Sequence, residues 1–273
     1  MNTKRILSRE VESEIHNFEK KSSNSKSSQQ RIWSSTQELF NLLQIENPTS
    51  SSSSLVNYQH VSYKSGERIC SAGEQASSLF VVYFGFLKTS LSDEYGDEKV
   101  LNFPMRGDLL GLDSLTRNKY QNDVTSLSDV ELIIVPNSLN SFQGIHGSLL
   151  AEKLLKIFCR ELSTSQHLEH IISKLTAEAR VAKFLISLGK KYGRLGFSEN
   201  SYNLLMTRSD IGSCLGLTLT TVSRILSEFS RSGIVTVRGK SVQINDQFAL
   251  KRLRHISAIR SCKLEGDMAV YSS

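Results

Sequence analysis

The stretch MTRSDIGSCLGLTLTTVSRIL, residues 206–226, decides how the rest of the chain is read. Thr207 stands where a helix N-cap belongs, and Asp210 falls in the turn that follows, where a carboxylate meets the positive end of a helix. A short helix through Leu215 is predicted. Gly216 lets the backbone turn sharply, and Thr218 can cap a second helix running to about Ser230. Two short helices across a tight glycine turn make a helix-turn-helix, whose second helix enters the major groove of double-stranded DNA.

In that second helix Leu219, Val222, Ile225, Leu226 and Phe229 share one side and are expected to be buried. Thr220, Ser223, Arg224 and Ser227 take the other side, with Thr221 at the border. Short hydroxyl side chains let a helix approach base edges closely, and an arginine among them can donate two hydrogen bonds to guanine O6 and N7. Downstream, IVTVRGKSVQI alternates apolar and polar residues around Arg238-Gly239-Lys240, which predicts a β-hairpin with a basic tip, a wing able to touch phosphate. Between residues 203 and 254 eight basic residues face three acidic ones, most of the chain's net charge of +6. The same motif also serves for packing against another protein; basic excess and wing together favour DNA. The candidate DNA-binding residues are Thr207, Arg208, Thr218, Thr220, Thr221, Ser223, Arg224, Arg238 and Lys240.

Working outward, 273 residues exceed what one core usually organises, and the texture changes along the chain. Residues 1–54 read as a mobile, Ser/Lys-rich arm carrying one short amphipathic helix in RIWSSTQELFNLLQI, with Ser35 or Thr36 as its N-cap. Residues 55–147 hold short β-rich runs (FVVYFGFLKTSL, EKVLNFP, DVELIIVP) separated by glycines, the pattern of an antiparallel sandwich or jelly roll. From 148 to 175 an apolar stripe predicts one long helix. That stripe can pack on its own β-domain or form a helix-to-helix dimer seam; the seam is favoured, through Leu150, Leu154, Ile157, Phe158, Leu162, Leu168 and Ile172. A helix AEARVAKFLISLGKKY after a break near Thr176 opens a DNA-binding domain reaching residue 254, and 255–273 form a tail. The fold class is thus α+β.

No apolar run approaches a signal peptide or a membrane span, so the expected setting is the cytoplasm. Cys70, Cys159, Cys214 and Cys262 are too far apart for a local metal motif. No nucleophile-base pair, phosphate loop or metal-ligand spacing points to an enzyme, and no cofactor is expected.

On SGERICSAGEQASSLFVVYFGFLKT, YGDEKVLNF, GDLLGLDSL, LLMTRSDIGSCLGLTLTTVSRIL and SGIVTVRGKSVQI the chain resembles the Crp/Fnr family of bacterial transcription regulators over roughly residues 58–253, and its Fnr branch most closely. The resemblance implies a β-roll sensor domain, a dimerisation helix and a winged helix-turn-helix on a two-fold symmetric promoter site. It also implies contact with RNA polymerase through the loop DEYGDEK, at Asp97 and Glu98, with GFSEN at 196–200 as a second activating loop.

Several positions depart from the family pattern. Residues 1–69 contain no cysteine, and Ile133 stands where the fourth cysteine of an Fnr-type iron-sulfur cluster would be. Where cyclic-nucleotide-binding members carry Gly-Glu and Arg-Ser or Arg-Thr, this chain has Gly111-Leu112 and Asn122-Asp123, so cyclic AMP is not expected. The histidines offer no spacing diagnostic of haem. Ser165 replaces the acidic residue that opposes dimerisation in the Fnr branch, which implies a constitutive homodimer. Thr220 replaces a base-reading glutamate, so the half-site is expected to keep the G·C pair read by Arg224 and to differ beside it. The expected function is a sequence-specific, DNA-binding activator; the alternative is a regulator whose β-roll binds haem or an unidentified small molecule.

Overall fold

The computed structural model describes residues 33–45, 57–136, 148–159 and 175–253. The first of these segments holds a short strand β1 (Trp33–Ser35) and a helix α1 (Thr36–Leu43). Ser35 caps the helix: its hydroxyl accepts from the Glu38 amide at 3.3 Å, and the Glu38 carboxylate accepts from the Ser35 amide at 2.8 Å.

The strands that follow are β2 (Asn57–Tyr63), β3 (Arg68–Cys70), β4 (Ser78–Phe84), β5 (Leu87–Ser92), β6 (Glu98–Asn102), β7 (Leu109–Leu110), β8 (Asp123–Ser126) and β9 (Val130–Pro136). They form a five-stranded sheet in the order β1-β2-β9-β4-β7 and a four-stranded sheet in the order β3-β8-β5-β6, the antiparallel sandwich that the glycine-punctuated sequence predicts. Strands β4 and β9 lie side by side, Phe80 opposite Ile134 and Val81 opposite Ile133. Because side chains alternate along a strand, Phe80, Val82, Leu132 and Ile134 point into the space between the sheets, with Cys70, Leu87, Leu110, Tyr120 and Val124. Leu79, Val81, Ile133 and Val135 point the other way and are equally buried. Two-sided burial explains why SLFVVYF and VELIIVP read as nearly continuous apolar runs.

Helices cover that second face. Leu39, Phe40 and Leu43 of α1 pack there, and so do Leu150, Leu154 and Ile157 of α2, helical over residues 148–159. Two sequence expectations are corrected. The short helix belongs to the core of the sandwich domain rather than to a mobile arm, because its apolar stripe closes a sheet face that would otherwise meet water. Leu150, Leu154 and Ile157, expected at a dimer seam, are spent on their own domain; of the expected seam residues Phe158 is exposed, next to an exposed Leu155. Each fully buried side chain of this kind contributes roughly 1.5–3 kcal/mol. Leu162, Ser165, Leu168 and Ile172 lie outside the described residues.

The chain divides into two compact units, one drawn from residues 1–96 and 102–159, the other from 160–273 with the short stretch 97–101. In the second, α3 (Ala177–Arg194) starts at Thr176, whose hydroxyl accepts from the Ala179 amide at 3.2 Å. It is followed by β10 (Ser201–Asn203), α4 (Arg208–Leu215), α5 (Leu219–Arg231), the hairpin β11 (Val235–Arg238) and β12 (Ser241–Ile244), and α6 (Gln247–Leu253). The sheet order is β10-β12-β11, so the expected wing has a third strand. Among the described residues no helix is long and apolar enough to cross a membrane.

The turn between β4 and β5 depends on Gly85, which has φ of 97° and whose missing Cβ would stand 2.5 Å from the Asp129 carbonyl oxygen and 2.5 Å from Val130 Cγ1. Gly96 has a φ of 85° but open space around it. Gly85→Ala should therefore lower unfolding free energy by about 2–4 kcal/mol, strain and overpacking acting together, and Gly96→Ala by about 1 kcal/mol, strain alone. Urea denaturation of the two variants checks the difference.

Candidate nucleic-acid interface

Helix α4 begins as its sequence predicts. Thr207 Oγ1 accepts from the Asp210 amide at 3.0 Å, and the Asp210 carboxylate accepts from the Thr207 amide at 2.9 Å, a reciprocal cap. The helix ends at Gly216, left-handed at φ 65°, and the Leu217 amide reaches back to the Gly212 carbonyl at 2.8 Å. A Cβ on Gly212 would lie 2.6 Å from the Leu217 carbonyl oxygen, so the turn closes only over a residue without a side chain. Arg180 of α3 donates to the Leu215 carbonyl at 3.2 Å and covers the negative end of α4.

Helix α5 buries Val222, Ile225, Leu226 and Phe229 as expected. Leu219 is not buried with them; in the first turn, beyond the end of the packed face, it remains 51% exposed. The opposite face carries exposed Thr220, Arg224 and Ser227, with Thr221 and Ser223 half-buried. Thr218 Oγ1 accepts from the Thr221 amide at 3.1 Å and lies 2.9 Å and 2.8 Å from the hydroxyls of Thr220 and Thr221. The three hydroxyls thus form one cluster at the helix start. Ser227 donates to the Ser223 carbonyl at 2.9 Å.

Arg224 extends from the middle of this face. Its Nη1 donates to Glu228 Oε1 at 2.7 Å, and its Nη2 lies 3.8 Å from Glu178 Oε1 on α3. Neither glutamate was singled out in the sequence, although the four-residue spacing of Arg224 and Glu228 is a readable signal; Glu178, 46 positions away, gave none. Nor does the sequence mark Gly212, one turn ahead of Gly216, as a point of close approach.

At the hairpin tip Arg238 and Lys240 are exposed, flanking Gly239 at φ 59°. Arg208 is half-buried at the start of α4. The structure therefore presents Thr220, Thr221, Ser223 and Arg224 on one helical face and Arg238 and Lys240 at the wing tip, while the hydroxyls of Thr207 and Thr218 are engaged as helix caps.

In the sandwich unit the positions tied to effectors are occupied internally. Ile133 is fully buried. Asp123 is buried and accepts from the Ala72 amide at 3.0 Å and from Ser92 Oγ at 3.2 Å, while Asp113 accepts from the Gln121 amide at 2.6 Å and Asn122 Nδ2 at 3.1 Å. His60 is buried with Nε2 2.7 Å from Ser34 Oγ and Nδ1 2.6 Å from Glu131 Oε1. Burial pushes the Cys70 thiol well above its ordinary range, which holds it in its unreactive protonated form. Asp97 and Glu98 are exposed.

Comparison with known proteins places this geometry. Residues 60–142 match the cyclic nucleotide-binding domain and residues 179–253 the Crp-like helix-turn-helix domain. The chain is 34% identical over 189 residues to electron transport regulator A of Shewanella oneidensis, covering 69% of this chain and 75% of that one. It is 31% identical over 190 residues to the fumarate and nitrate reduction regulatory protein of Escherichia coli strain K12, with the same two coverages of 69% and 75%. Among solved structures, FixK2 from Bradyrhizobium japonicum superposes with a TM-score of 0.64 at 27% identity, over 74% of this chain and 99% of that one. A CRP/FNR-family regulator from Thermus thermophilus shares the fold at 19% identity, with a TM-score of 0.59 over 72% of this chain and 98% of that one. The chain belongs to the Crp/Fnr family of transcription regulators and carries that family's helix-turn-helix DNA-binding domain.

Gly212→Ala should destabilise the helical unit by roughly 1–3 kcal/mol, because the methyl group meets backbone that cannot move aside. Binding to DNA should fall with it. Thermal melting followed by circular dichroism, paired with a gel shift, checks both effects.

Proposed function

We propose that the protein binds a two-fold symmetric promoter site as a homodimer, reads it through the exposed face of α5, and activates transcription through contact with RNA polymerase at Asp97 and Glu98. The observation that carries the reading is the division of α5 into an apolar face, buried at Val222, Ile225, Leu226 and Phe229, and an outward face of short hydroxyls around Arg224. A helix so shaped sits deep in a major groove, with Arg224 donating to a guanine and the wing residues Arg238 and Lys240 reaching flanking phosphates. Two-fold symmetry sets the half-sites about 34 Å apart, one turn of DNA.

The partner seam is assigned to the strip of α2 left over after its buried face is spent on the sandwich. Leu155 and Phe158 stand exposed there at three-residue spacing, and by sequence Leu162 continues the strip. With Ser165 in place of a carboxylate, no like-charge repulsion arises at that position, and the dimer is constitutive.

The residues present do not fit an Fnr-type cluster or a Crp-type cyclic AMP site. A cluster needs four thiolates, whereas Ile133 is sealed in the core and no cysteine precedes Cys70. A cyclic phosphate brought near Asp123 would meet a buried carboxylate that accepts from Ala72 and Ser92 and lies 3.8 Å from Arg68, so it would compete with that carboxylate for the cation. For haem, His60 is a poor ligand, since both ring nitrogens already have partners.

Two measurements test this. In a selection from randomised duplexes, Arg224→Ala should cost about 1–3 kcal/mol of discrimination at one guanine per half-site; an unaltered base preference refutes the assignment. Sedimentation at micromolar concentration should find a dimer, and Phe158→Asp should shift it toward monomer; a monomeric wild type sinks the seam.

A further inference from the structure

Arg224 is not a free cation. Each of its two terminal nitrogens faces a carboxylate, Glu228 one turn later on the same helix at 2.7 Å and Glu178 in the first turn of α3 at 3.8 Å. These nitrogens are among the donors a guanidinium offers to guanine. Two negative charges against one positive leave this spot on a basic surface with an excess of one negative charge. All three side chains are partly exposed, so the pairs are weak enough to exchange.

We propose that Glu228, with Glu178 behind it, is a specificity-determining partner of Arg224 that holds the reader back from DNA lacking the right guanine. On arbitrary sequence a phosphate or a single base acceptor competes poorly with Glu228 for Nη1. At the cognate guanine two acceptors face the guanidinium together and replace what is given up. Non-specific binding is weakened more than specific binding, so the ratio between them rises. The inference rests on the reading of Arg224 as the residue that recognises guanine.

The test is fluorescence anisotropy over a range of salt concentrations, using the full chain and two labelled duplexes, one selected by the wild-type protein and one of random sequence. Glu228→Gln keeps a good helix former and removes only the charge. Its affinity for the random duplex should rise about two- to fivefold, the range set by exposed ion pairs. Affinity for the selected duplex should rise less, and the salt dependence on random sequence should steepen. Glu178→Gln should act in the same direction but more weakly, given its longer separation. In an Arg224→Ala background the effect of Glu228→Gln should shrink, since the carboxylate acts through the guanidinium. Thermal melting confirms that each variant folds. Unchanged random-duplex affinity in Glu228→Gln, a loss of affinity for both duplexes, or an undiminished effect without Arg224 would each overturn the proposal. If Arg224→Ala keeps the wild-type base preference, the reading of Arg224 fails instead; if it loses that preference while Glu228→Gln is silent, only the pairing fails.

Discussion

Along most of their length strands β4 and β9 are buried on both faces. One side of this central pair meets the opposing sheet, and the other carries Leu79, Val81, Ile133 and Val135, which a sheet standing alone would expose. The rest of the sandwich unit answers that constraint. Helix α1 is recruited from the N-terminal side and α2 from the C-terminal side, and each lays an apolar stripe on the same surface. Among the described residues of α2, Leu155 and Phe158 are the large apolar side chains left exposed.

In the helical unit, backbone proximity has the controlling part. The passage from α4 to α5 brings the Leu217 carbonyl within van der Waals reach of Gly212, and the left-handed Gly216 completes the reversal. The caps at Thr207 and Thr218 then fix where each helix starts. Arg180 ties the end of α4 to α3, the helix that also delivers Glu178 to Arg224. The placement of the outward face of α5 is thus set by contacts on its far side.

Much of this was legible in the sequence because it is local. Caps, glycine turns, the period of α5 and the alternation of the wing lie within a few residues of one another, and each was placed correctly apart from Leu219 and the third wing strand. The sandwich was readable from its glycines and β-rich runs. Less legible were choices that depend on what lies across the fold. The stripe of α2 has the same period whether it covers a sheet or a second helix, and the burial of Leu150, Leu154 and Ile157 gives that part of it to the sheet. The α1 segment sits in polar sequence that argues for an arm, and only the waiting face of β4 and β9 makes it core. Glu178 meets Arg224 through tertiary packing, which no local pattern records.

On the proposed reading, the split character of α5 separates stability from recognition. Val222, Ile225, Leu226 and Phe229 anchor the helix from behind, so exchanges at Thr220, Arg224 or Ser227 leave that anchorage intact and cost the fold little. Such a helix behaves as an interchangeable key blank, whose cuts can be altered while the shank stays seated. Thr218 is the exception, since it caps the helix and gathers the neighbouring hydroxyls. The fold therefore leaves the outward face free to change, while residue 218 and the glycine pair at 212 and 216 stay bound to the architecture.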